Sequence, residues 1–216
     1  MQPAHCCSII TLMTKHPKHE RTLVIIKPDG VQRNLIGEIV KRYEQAGLKL
    51  VGLKMTVPTV ELIDKHYLID PDWRVKTGVK TIESYRKKGQ KPPSEDPLKI
   101  TEIILNNLKK YMTKGPVVAM VWQGIHAADI VRKITGGTEP LTSAMGTIRG
   151  DYTIDSYQIA DVDSRAVRNL VHASGNQEEA EKEIPLWFSA KELFDYRLIN
   201  EAMLYDADLE HILKSS

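Results

Sequence analysis

A histidine at the end of a short apolar run is the residue of this sequence best suited to chemistry. His172 follows Leu170 and Val171 and precedes small residues and a predicted helix over residues 177–184. Because a helix N-terminus attracts anions, an imidazole beside it suits a nucleophile that is transiently phosphorylated. Histidines at strand ends are more often packing or solvent-facing residues, so the hypothesis depends on further phosphate-binding groups.

Three cationic side chains stand at places where phosphate can be bound. Lys27 ends a second apolar run, where a flexible ammonium can point into a site at the edge of a sheet. Arg132 lies in a predicted helix that ends in a Gly-Gly-Thr turn, and Arg149 precedes Gly150. Both guanidinium groups can form forked hydrogen bonds with phosphate oxygens. Taken singly, the lysine could equally extend from a strand end to solvent, and the arginines are more often in surface ion pairs.

Neutral and acidic side chains extend this set. Thr138 and Asn169 can form hydrogen bonds with a phosphate or a ribose, although either could instead cap local backbone. Glu183 lies in the helical segment after His172 and can orient an imidazole, although it could also be a solvated helix charge. Each of these signals is weak alone.

The hydrophobic pattern predicts an α+β fold with one small sheet. Strands are predicted at residues 23–26, 48–57 and 115–123 and in a run leading to His172, and helices at residues 35–46, 60–67, 100–112, 126–135 and 177–184. A turn is expected at residues 27–30 and a loop at residues 138–150. Residues 70–97 are rich in Lys, Pro and Gly and are interpreted as an exposed insertion with room for a short helix.

Composition limits the class of protein. The 216 residues, 42% hydrophobic and 27% charged, can bury one good core or at most two small ones. A formal net charge of +2 does not indicate a nucleic-acid-binding surface. No run is long enough to span a membrane, and the absence of a Gly-x-x-x-x-Gly-Lys-Ser/Thr loop excludes a P-loop kinase. Cys6 and Cys7 provide no disulfide framework, so we expect a reducing, cytoplasmic location.

The two ends are interpreted as extensions of one domain. Residues 1–20 are predicted to be a disordered tail without a signal peptide, and residues 195–216 a helical extension. A weak metal site is the alternative for the tail, and its candidate ligands are His5, Cys6, Cys7, His16 and His19.

Five segments together resemble the nucleoside diphosphate kinase family. They are residues 22–45 (TLVIIKPDGVQRNLIGEIVKRYEQ), 115–122 (GPVVAMVW), 146–151 (GTIRGD), 169–174 (NLVHAS) and 179–188 (EAEKEIPLWF). The resemblance covers about residues 21–194 and implies a ferredoxin-like βαββαβ fold, an antiparallel four-stranded sheet with helices on one face. It also implies transfer of the terminal phosphoryl group from a nucleoside triphosphate, mainly ATP, to nucleoside diphosphates by a ping-pong route. Mg²⁺ would be held mainly through the nucleotide phosphates, and the reaction would maintain nucleotide pools.

The resemblance also implies roles for the residues at the reacting phosphate. His172 corresponds to the phosphorylated histidine, which reacts through Nδ1. Glu183, supported by Ser174, corresponds to the carboxylate that holds its ring. Lys27 corresponds to a lysine at the transferred phosphate, and Tyr67 to a neighbouring tyrosine.

Further positions match groups that bind the rest of the nucleotide. Arg132, Thr138 and Arg149 correspond to groups on the distal phosphates, and Asn169 to a group near the ribose hydroxyl. Such a set fits the chemistry, since phosphoryl transfer mainly needs alignment and cationic stabilisation of a charge-spread transition state.

The chain departs from the family pattern on the side that binds the base. The usual Arg-Pro-Phe-Phe motif, one aromatic of which stacks on the base, is absent after Tyr67, which leaves Trp73, Tyr85 or Val79 as candidates. Met145 replaces a common proline and Gly175 a common aspartate, and residues 152–167 form an unusually long connection. These differences can alter the assembly, for which the resemblance implies a homo-oligomer, a hexamer or alternatively a tetramer.

Two other functions are weighed against this one. A catalytically inactive relative predicts loss of a phosphate-handling residue, but all of them are present. A nucleic-acid-binding module on a ferredoxin-like sheet predicts clustered aromatics and a basic face, which this nearly neutral sequence does not indicate.

Overall fold

An antiparallel sheet of four strands organises the chain. The computed structural model describes residues 17–206 and residue 209. The strands are Glu20–Ile26 (β1), Lys49–Thr56 (β2), Val117–Gly124 (β3) and Val171–Ala173 (β4), and they lie in the order β2-β3-β1-β4. Each neighbouring pair is antiparallel. This arrangement confirms the predicted α+β, ferredoxin-like fold.

Helices connect the strands and cover the sheet. In chain order they are Pro28–Gln32 (α1), Ile36–Gln45 (α2), Val60–Tyr67 (α3), Trp73–Lys87 (α4), Pro97–Met112 (α5), Ala127–Thr135 (α6), Ile148–Tyr152 (α7), Tyr157–Val162 (α8), Gln177–Trp187 (α9) and Glu201–Tyr205 (α10). Within the described residues, no helix combines the length and the apolar character needed to cross a bilayer.

The helices cover both faces of the sheet, so the expectation that they lie on one face was wrong. Side chains alternate between the two faces along a strand. Val24 and Ile26 of β1 belong to a buried cluster with residues of α2 and α6, whereas Leu23 and Ile25 belong to a second cluster with residues of α3 and α9. Burial on both faces explains why β1 reads as a continuous apolar run.

Most predicted elements are present within a few residues of their expected ends. Helix α3 has the predicted bounds, and the Thr59 hydroxyl caps it by accepting a hydrogen bond from Leu62 N at 3.2 Å. The predicted turn at residues 27–30 is instead the start of α1, and the predicted loop at residues 138–150 ends in the first turn of α7. β1 begins at Glu20, the last residue of the predicted tail.

The predicted terminal extensions fall largely outside the described residues. Residues 1–16 of the predicted tail, with the candidate metal ligands other than His19, lie outside the described residues, whereas His19 lies in a short 3-10 helix before β1. Helix α10 occupies five residues of the predicted C-terminal helical segment. Residues 207–208 and 210–216 of that segment lie outside the described chain.

The insertion after Tyr67 forms a longer helix than its composition predicts. Helix α4 has 15 residues and packs along α5. Gly78 allows this contact, since a Cβ atom there would lie 2.2 Å from the carbonyl oxygen of Pro97. The Thr101 hydroxyl of α5 lies 2.6 Å from the carbonyl oxygen of Pro97 in its own helix and 3.0 Å from that of Arg74 in α4, so its single proton is shared between the two helices. A small residue and a side-chain hydrogen bond therefore fix the helix pair beside the sheet.

Candidate active site

A strained turn leads the chain into the strand that carries His172. Val171 N donates to Asn169 O at 2.7 Å, and Leu170 between them has a φ of 66°. This three-residue turn puts an ordinary residue in the left-handed region, at a cost on the order of 1–3 kcal/mol. The backbone N–H of Lys27 donates to Leu170 O at 2.8 Å. The turn thereby joins the end of β1 to the start of β4, and it brings Lys27 and Asn169 together.

The His172 ring is held through one of its two nitrogens. Nε2 lies 3.1 Å from Oε1 and 3.2 Å from Oε2 of Glu183, whereas Nδ1 makes no hydrogen bond with any described residue. A carboxylate only accepts, so His172 Nε2 donates and carries the proton of the neutral ring. The remaining lone pair is then on Nδ1. The geometry therefore presents Nδ1 as the nucleophilic atom.

Glu183 is itself fixed as an anion. The Ser174 hydroxyl donates to Glu183 Oε2 at 2.6 Å and accepts from Leu23 N at 3.2 Å, which ties the carboxylate to β1. Burial alone would raise the pKa of Glu183, but the charge and hydrogen bond of His172, with His66 and Ser174, lower it to about 2. The carboxylate is thus available to orient an imidazole throughout the neutral pH range.

The start of α9 is the helix N-terminus that we expect to help hold phosphoryl oxygens beside His172. Glu183 lies in the middle of α9, and the side chain of Asn176 caps the start of α9 by accepting from Glu179 N at 2.8 Å. The Glu179 carboxylate also accepts from Gly175 N at 2.8 Å. The first turn of α9 therefore has local partners, and the His172 ring is contacted by the Glu183 carboxylate from the middle of that helix.

Lys27 and Asn169 form a buried pair beside this centre. The Lys27 ammonium donates to Asn169 Oδ1 at 2.7 Å and lies 5.4 Å from the centre of the Tyr111 ring. Asn169 Nδ2 donates to the backbone oxygen of Thr138 at 2.9 Å. Burial, together with the nearby Arg149 cation, lowers the pKa of Lys27 to about 7. A buried ammonium whose acceptor is a neutral amide is well prepared to receive an anion.

Arg149 supports the loops around the pocket. Its Nε donates to Asn169 O at 3.1 Å, and one terminal nitrogen donates to Gly136 O and Gly137 O, both at 2.9 Å. The other terminal nitrogen donates to the carbonyl oxygen of Val171. Four of the five guanidinium N–H groups are therefore used by backbone, which leaves one for a ligand.

Arg132 and Thr138 lie at the exposed rim. Arg132 lies in the last turn of α6, and its exposed side chain makes no hydrogen bond or ion pair within the described part of the chain. Burial and, to a smaller extent, the Arg132 charge lower the pKa of Arg149. Thr138 is exposed, and its side chain lies beside the Tyr157 hydroxyl of α8. Hydrogen bonds and charge effects thus link Lys27, Arg132, Thr138, Arg149 and Asn169 to one another at the end of the sheet where β4 begins.

Tyr67 links this pocket to the insertion. Its ring centre lies 6.4 Å from that of His172 and 5.8 Å from that of Trp73, the first residue of α4. Desolvation and the Glu183 charge raise the pKa of Tyr67, so its hydroxyl stays protonated. Of the three candidates for the base, Trp73 is the one whose ring contacts this cluster.

The other two candidates lie farther along α4. The Tyr85 hydroxyl lies beside the Asp161 carboxylate of α8, and desolvation with this contact raises the pKa of Tyr85 to about 12. Val79 is 39% exposed. Because Asp161 belongs to the long connection before β4, the two segments that depart from the family pattern contact each other.

Sequence reasoning missed three aromatic residues of the site. His66 packs edge-on against His172 with ring centres 4.4 Å apart, and Trp187 Nε1 donates to His66 Nδ1 at 3.3 Å. Tyr111 lies beside Lys27 and has a buried hydroxyl with no hydrogen-bond partner among the described residues. His66 lies in the segment KHY, and Trp187 lies in the segment PLWF. Both side chains belong to apolar helix faces, so the sequence pattern does not distinguish them from ordinary core residues.

Comparison with known proteins connects this geometry to one family. A sequence model described as "Nucleoside diphosphate kinase" matches residues 20–73 and 99–193. The unmatched residues between these ranges include nearly all of α4 and the loop that follows it. A nucleoside diphosphate kinase of Pyrobaculum aerophilum is 46% identical over 180 residues, which cover 82% of this chain and 98% of the relative.

Solved structures agree with the sequence comparison. The crystal structure of an NDP kinase from Pyrobaculum aerophilum has a TM-score of 0.78 at 45% identity, covering 82% of this chain and all of the other. A nucleoside diphosphate kinase from Borrelia burgdorferi, described as a transition-state mimic with bound vanadate and ADP, has a TM-score of 0.72 at 34% identity. That match covers 88% of this chain and 99% of the other.

Proposed function

Because this chain belongs to the nucleoside diphosphate kinase family, we propose that it transfers the terminal phosphoryl group of a nucleoside triphosphate, mainly ATP, to nucleoside diphosphates. The reaction runs by a ping-pong route through a phosphohistidine at His172, and it maintains the pools of nucleoside and deoxynucleoside triphosphates. The observation that carries this proposal is the contact of His172 Nε2 with Glu183, which leaves the Nδ1 lone pair free.

Phosphoryl transfer takes place in two displacements at phosphorus. The Nδ1 lone pair of His172 attacks the γ-phosphorus, the bond from phosphorus to the bridging oxygen breaks, and the diphosphate leaves with that electron pair. Glu183 retains the Nε2 proton by its hydrogen bond and offsets the positive charge that develops on the ring. A second diphosphate then attacks the same phosphorus, and the P–N electron pair returns to Nδ1.

The cations of the pocket stabilise the charge on the phosphates. Lys27 binds the transferred phosphoryl group, with Tyr67 beside it, because the buried ammonium gains a full negative partner there. Arg132 and Thr138 bind the distal phosphates from the exposed rim. Arg149 contributes its remaining N–H and mainly fixes the loops by its backbone hydrogen bonds.

Asn169 and Trp73 bind the remainder of the nucleotide. Asn169 keeps one amide N–H beyond its bond to the Thr138 carbonyl, and this group contacts the ribose hydroxyl. Trp73 provides the face on which the base stacks, in place of the missing aromatic motif. Little base selectivity follows, since every base has a π-face.

Mg²⁺ is the proposed cofactor, carried by the nucleotide phosphates. It prefers oxygen ligands in an octahedral arrangement. Among the described residues, the cluster with metal-ligating groups is His66, His172 and Glu183, which offers two nitrogens and one carboxylate and does not fit such a cage. The pocket instead offers N–H donors for phosphate oxygens. When bound, the ion neutralises phosphate charge, so a chelator should abolish transfer.

The proposed assembly is a homo-oligomer, a hexamer or alternatively a tetramer, in the cytoplasm. β2 is an edge strand of the sheet, and its Leu53 and Met55 side chains are 52% and 56% exposed. Phe194 and Tyr196 bond to the backbone of this edge at Val51 and Leu50, and the exposed apolar residues beyond that contact favour association with another copy. Light scattering on the purified protein measures the mass, and Leu53→Asp should lower it if this edge is used.

A labelling experiment tests the proposed function. The purified protein is incubated with ATP labelled on its γ-phosphate, and we expect an acid-labile, base-stable phosphoprotein that loses its label to added diphosphate. His172→Ala should take up no label, whereas His126→Ala, which removes an exposed histidine at the start of α6, should label like wild type. The proposal is wrong if wild type takes up no label or if His172→Ala labels equally well.

A further inference from the structure

A tryptophan fixes the proton of a buried histidine behind the proposed nucleophile. Trp187 Nε1 donates to His66 Nδ1 at 3.3 Å, and neither side chain is more than 3% exposed. Because an indole N–H can only donate, His66 Nδ1 must be the acceptor. Burial, assisted by the nearby His172, lowers the pKa of His66 to about 3. The neutral His66 ring therefore carries its single proton on Nε2.

That proton faces the carboxylate that holds His172. His66 Nε2 lies 3.7 Å from Glu183 Oε1, which exceeds hydrogen-bond distance, and it has no hydrogen-bond partner within the described chain. The Glu183 charge nevertheless acts on this ring, because it raises the His66 pKa against the larger effect of burial. The edge of the same ring packs against His172 at a centre distance of 4.4 Å. His66 therefore acts on His172 through Glu183 and through the packing of the two rings.

The opposite tautomer of His66 would change this site. A lone pair on Nε2 would repel the Glu183 carboxylate. His66, His172 and Glu183 offer ligand atoms that lie within 4.8 Å of one another, and they would form a set of three metal ligands once His172 also moved its proton from Nε2 to the unbonded Nδ1. Two imidazoles and one carboxylate are a ligand set of catalytic zinc sites. A transition metal bound there would hold the ring of the proposed nucleophile.

We propose that Trp187 and His66 form a tautomer lock, in which Trp187 keeps the His66 proton on Nε2, positions Glu183 for His172, and denies the three groups to transition metals. Both are positioning residues, since neither bonds to His172 directly. The proposal rests on the proposed role of His172 as nucleophile. The proposed lock explains how a chain with His66, His172 and Glu183 so close together can stay active in the presence of cellular zinc.

Metal binding to the nucleotide-free protein tests the lock. Trp187→Phe removes the donor and keeps an aromatic ring, so His66 can carry its proton on Nδ1 and release Nε2. We expect this variant to bind Co²⁺, seen by the visible absorption of a four-coordinate ion, at least about tenfold more tightly than wild type. Zn²⁺ should likewise inhibit labelling of His172 at a concentration lower by about the same factor.

Two further variants identify the cause of any gain. Trp187→Phe combined with His66→Gln should lose the tighter Co²⁺ binding, since a glutamine amide is a poor ligand. Trp122→Phe is the matched control, because Trp122 is fully buried in the cluster on the other face of the sheet. The proposed tautomer lock is wrong if wild type and Trp187→Phe bind Co²⁺ with equal affinity. It is also wrong if Trp122→Phe gains as much Co²⁺ affinity as Trp187→Phe does. The proposed function is tested separately, because it is wrong if the wild-type protein takes up no phosphate label from ATP.

Discussion

Asn169 Oδ1 accepts a hydrogen bond from the Lys27 ammonium at 2.7 Å, and neither residue is more than 5% exposed. The acceptor is a neutral amide rather than a carboxylate, so the pair does not neutralise the buried charge. Burial and the Arg149 cation consequently lower the pKa of Lys27 to about 7. A phosphate group entering the pocket supplies the missing negative charge. We therefore expect Lys27 to bind phosphate more tightly than a solvated lysine would, because its ammonium is already desolvated in the free protein.

The first prediction concerns the pH dependence of nucleotide capture. Lys27 is protonated below its pKa of about 7, so kcat/KM, which reports on the free enzyme, should fall as the pH rises above about 7. Bound phosphates raise the Lys27 pKa, so kcat should fall only at higher pH. Lys27→Arg stays charged and should lack this alkaline decline, even if its activity is lower. An unchanged alkaline decline in Lys27→Arg would contradict the assignment.

The second prediction concerns stability. The pKa of Lys27 is lower in the folded state than in the unfolded chain, so between pH 7 and 10 the unfolded chain binds more protons. Stability then rises with pH in this window, and the gain is lost as the pH falls through 7. Between pH 6 and pH 9, the free energy of unfolding of wild type should therefore rise by about 2–3 kcal/mol more than that of Lys27→Met. Urea unfolding of both proteins measures this difference, and parallel pH profiles would refute it.

The sequence predicts the sheet and the motif residues because their signals are local. Leu23–Ile26 reads as a strand from its own composition, and the Thr59 cap is visible before its helix. The tautomer of His172 depends on Glu183, which lies 11 residues away and reaches it because α9 packs against β1, the strand that pairs with β4. Such a contact has no local signature, so it came from family resemblance.

Contacts between segments that are distant along the chain could not be predicted from the sequence. The hydrogen bonds of Arg149 to backbone at Gly136, Gly137, Asn169 and Val171 join α7 to the loop after α6 and to the start of β4, and no pattern around Arg149 indicates them. The length of α4 was also missed, because its lysines and Gly78 suggest a loop. Packing against α5 stabilises this helix despite that composition.

The third prediction compares two glycines in helices. Gly78→Ala should lower the free energy of unfolding by about 1–3 kcal/mol, because the new Cβ atom would lie 2.2 Å from Pro97 O and force α4 away from α5. Gly37→Ala in α2 meets no atom within 4 Å and should stabilise the protein by about 0.5 kcal/mol. Thermal and urea unfolding measure both changes. Equal effects would show that α4 does not pack closely at Gly78.

The fourth prediction concerns Trp73 as the residue that stacks on the base. Trp73→Ala should raise the KM for nucleoside diphosphates about 5- to 100-fold, since base stacking contributes about 1–3 kcal/mol. Because the base is distant from the reacting phosphorus, kcat should change little. Trp73→Phe should recover most of the affinity. Tyr85→Ala is the matched control from the same helix, because its hydroxyl lies beside Asp161 rather than beside Tyr67. If Tyr85→Ala raises KM and Trp73→Ala does not, the base lies at the contact between α4 and α8 instead.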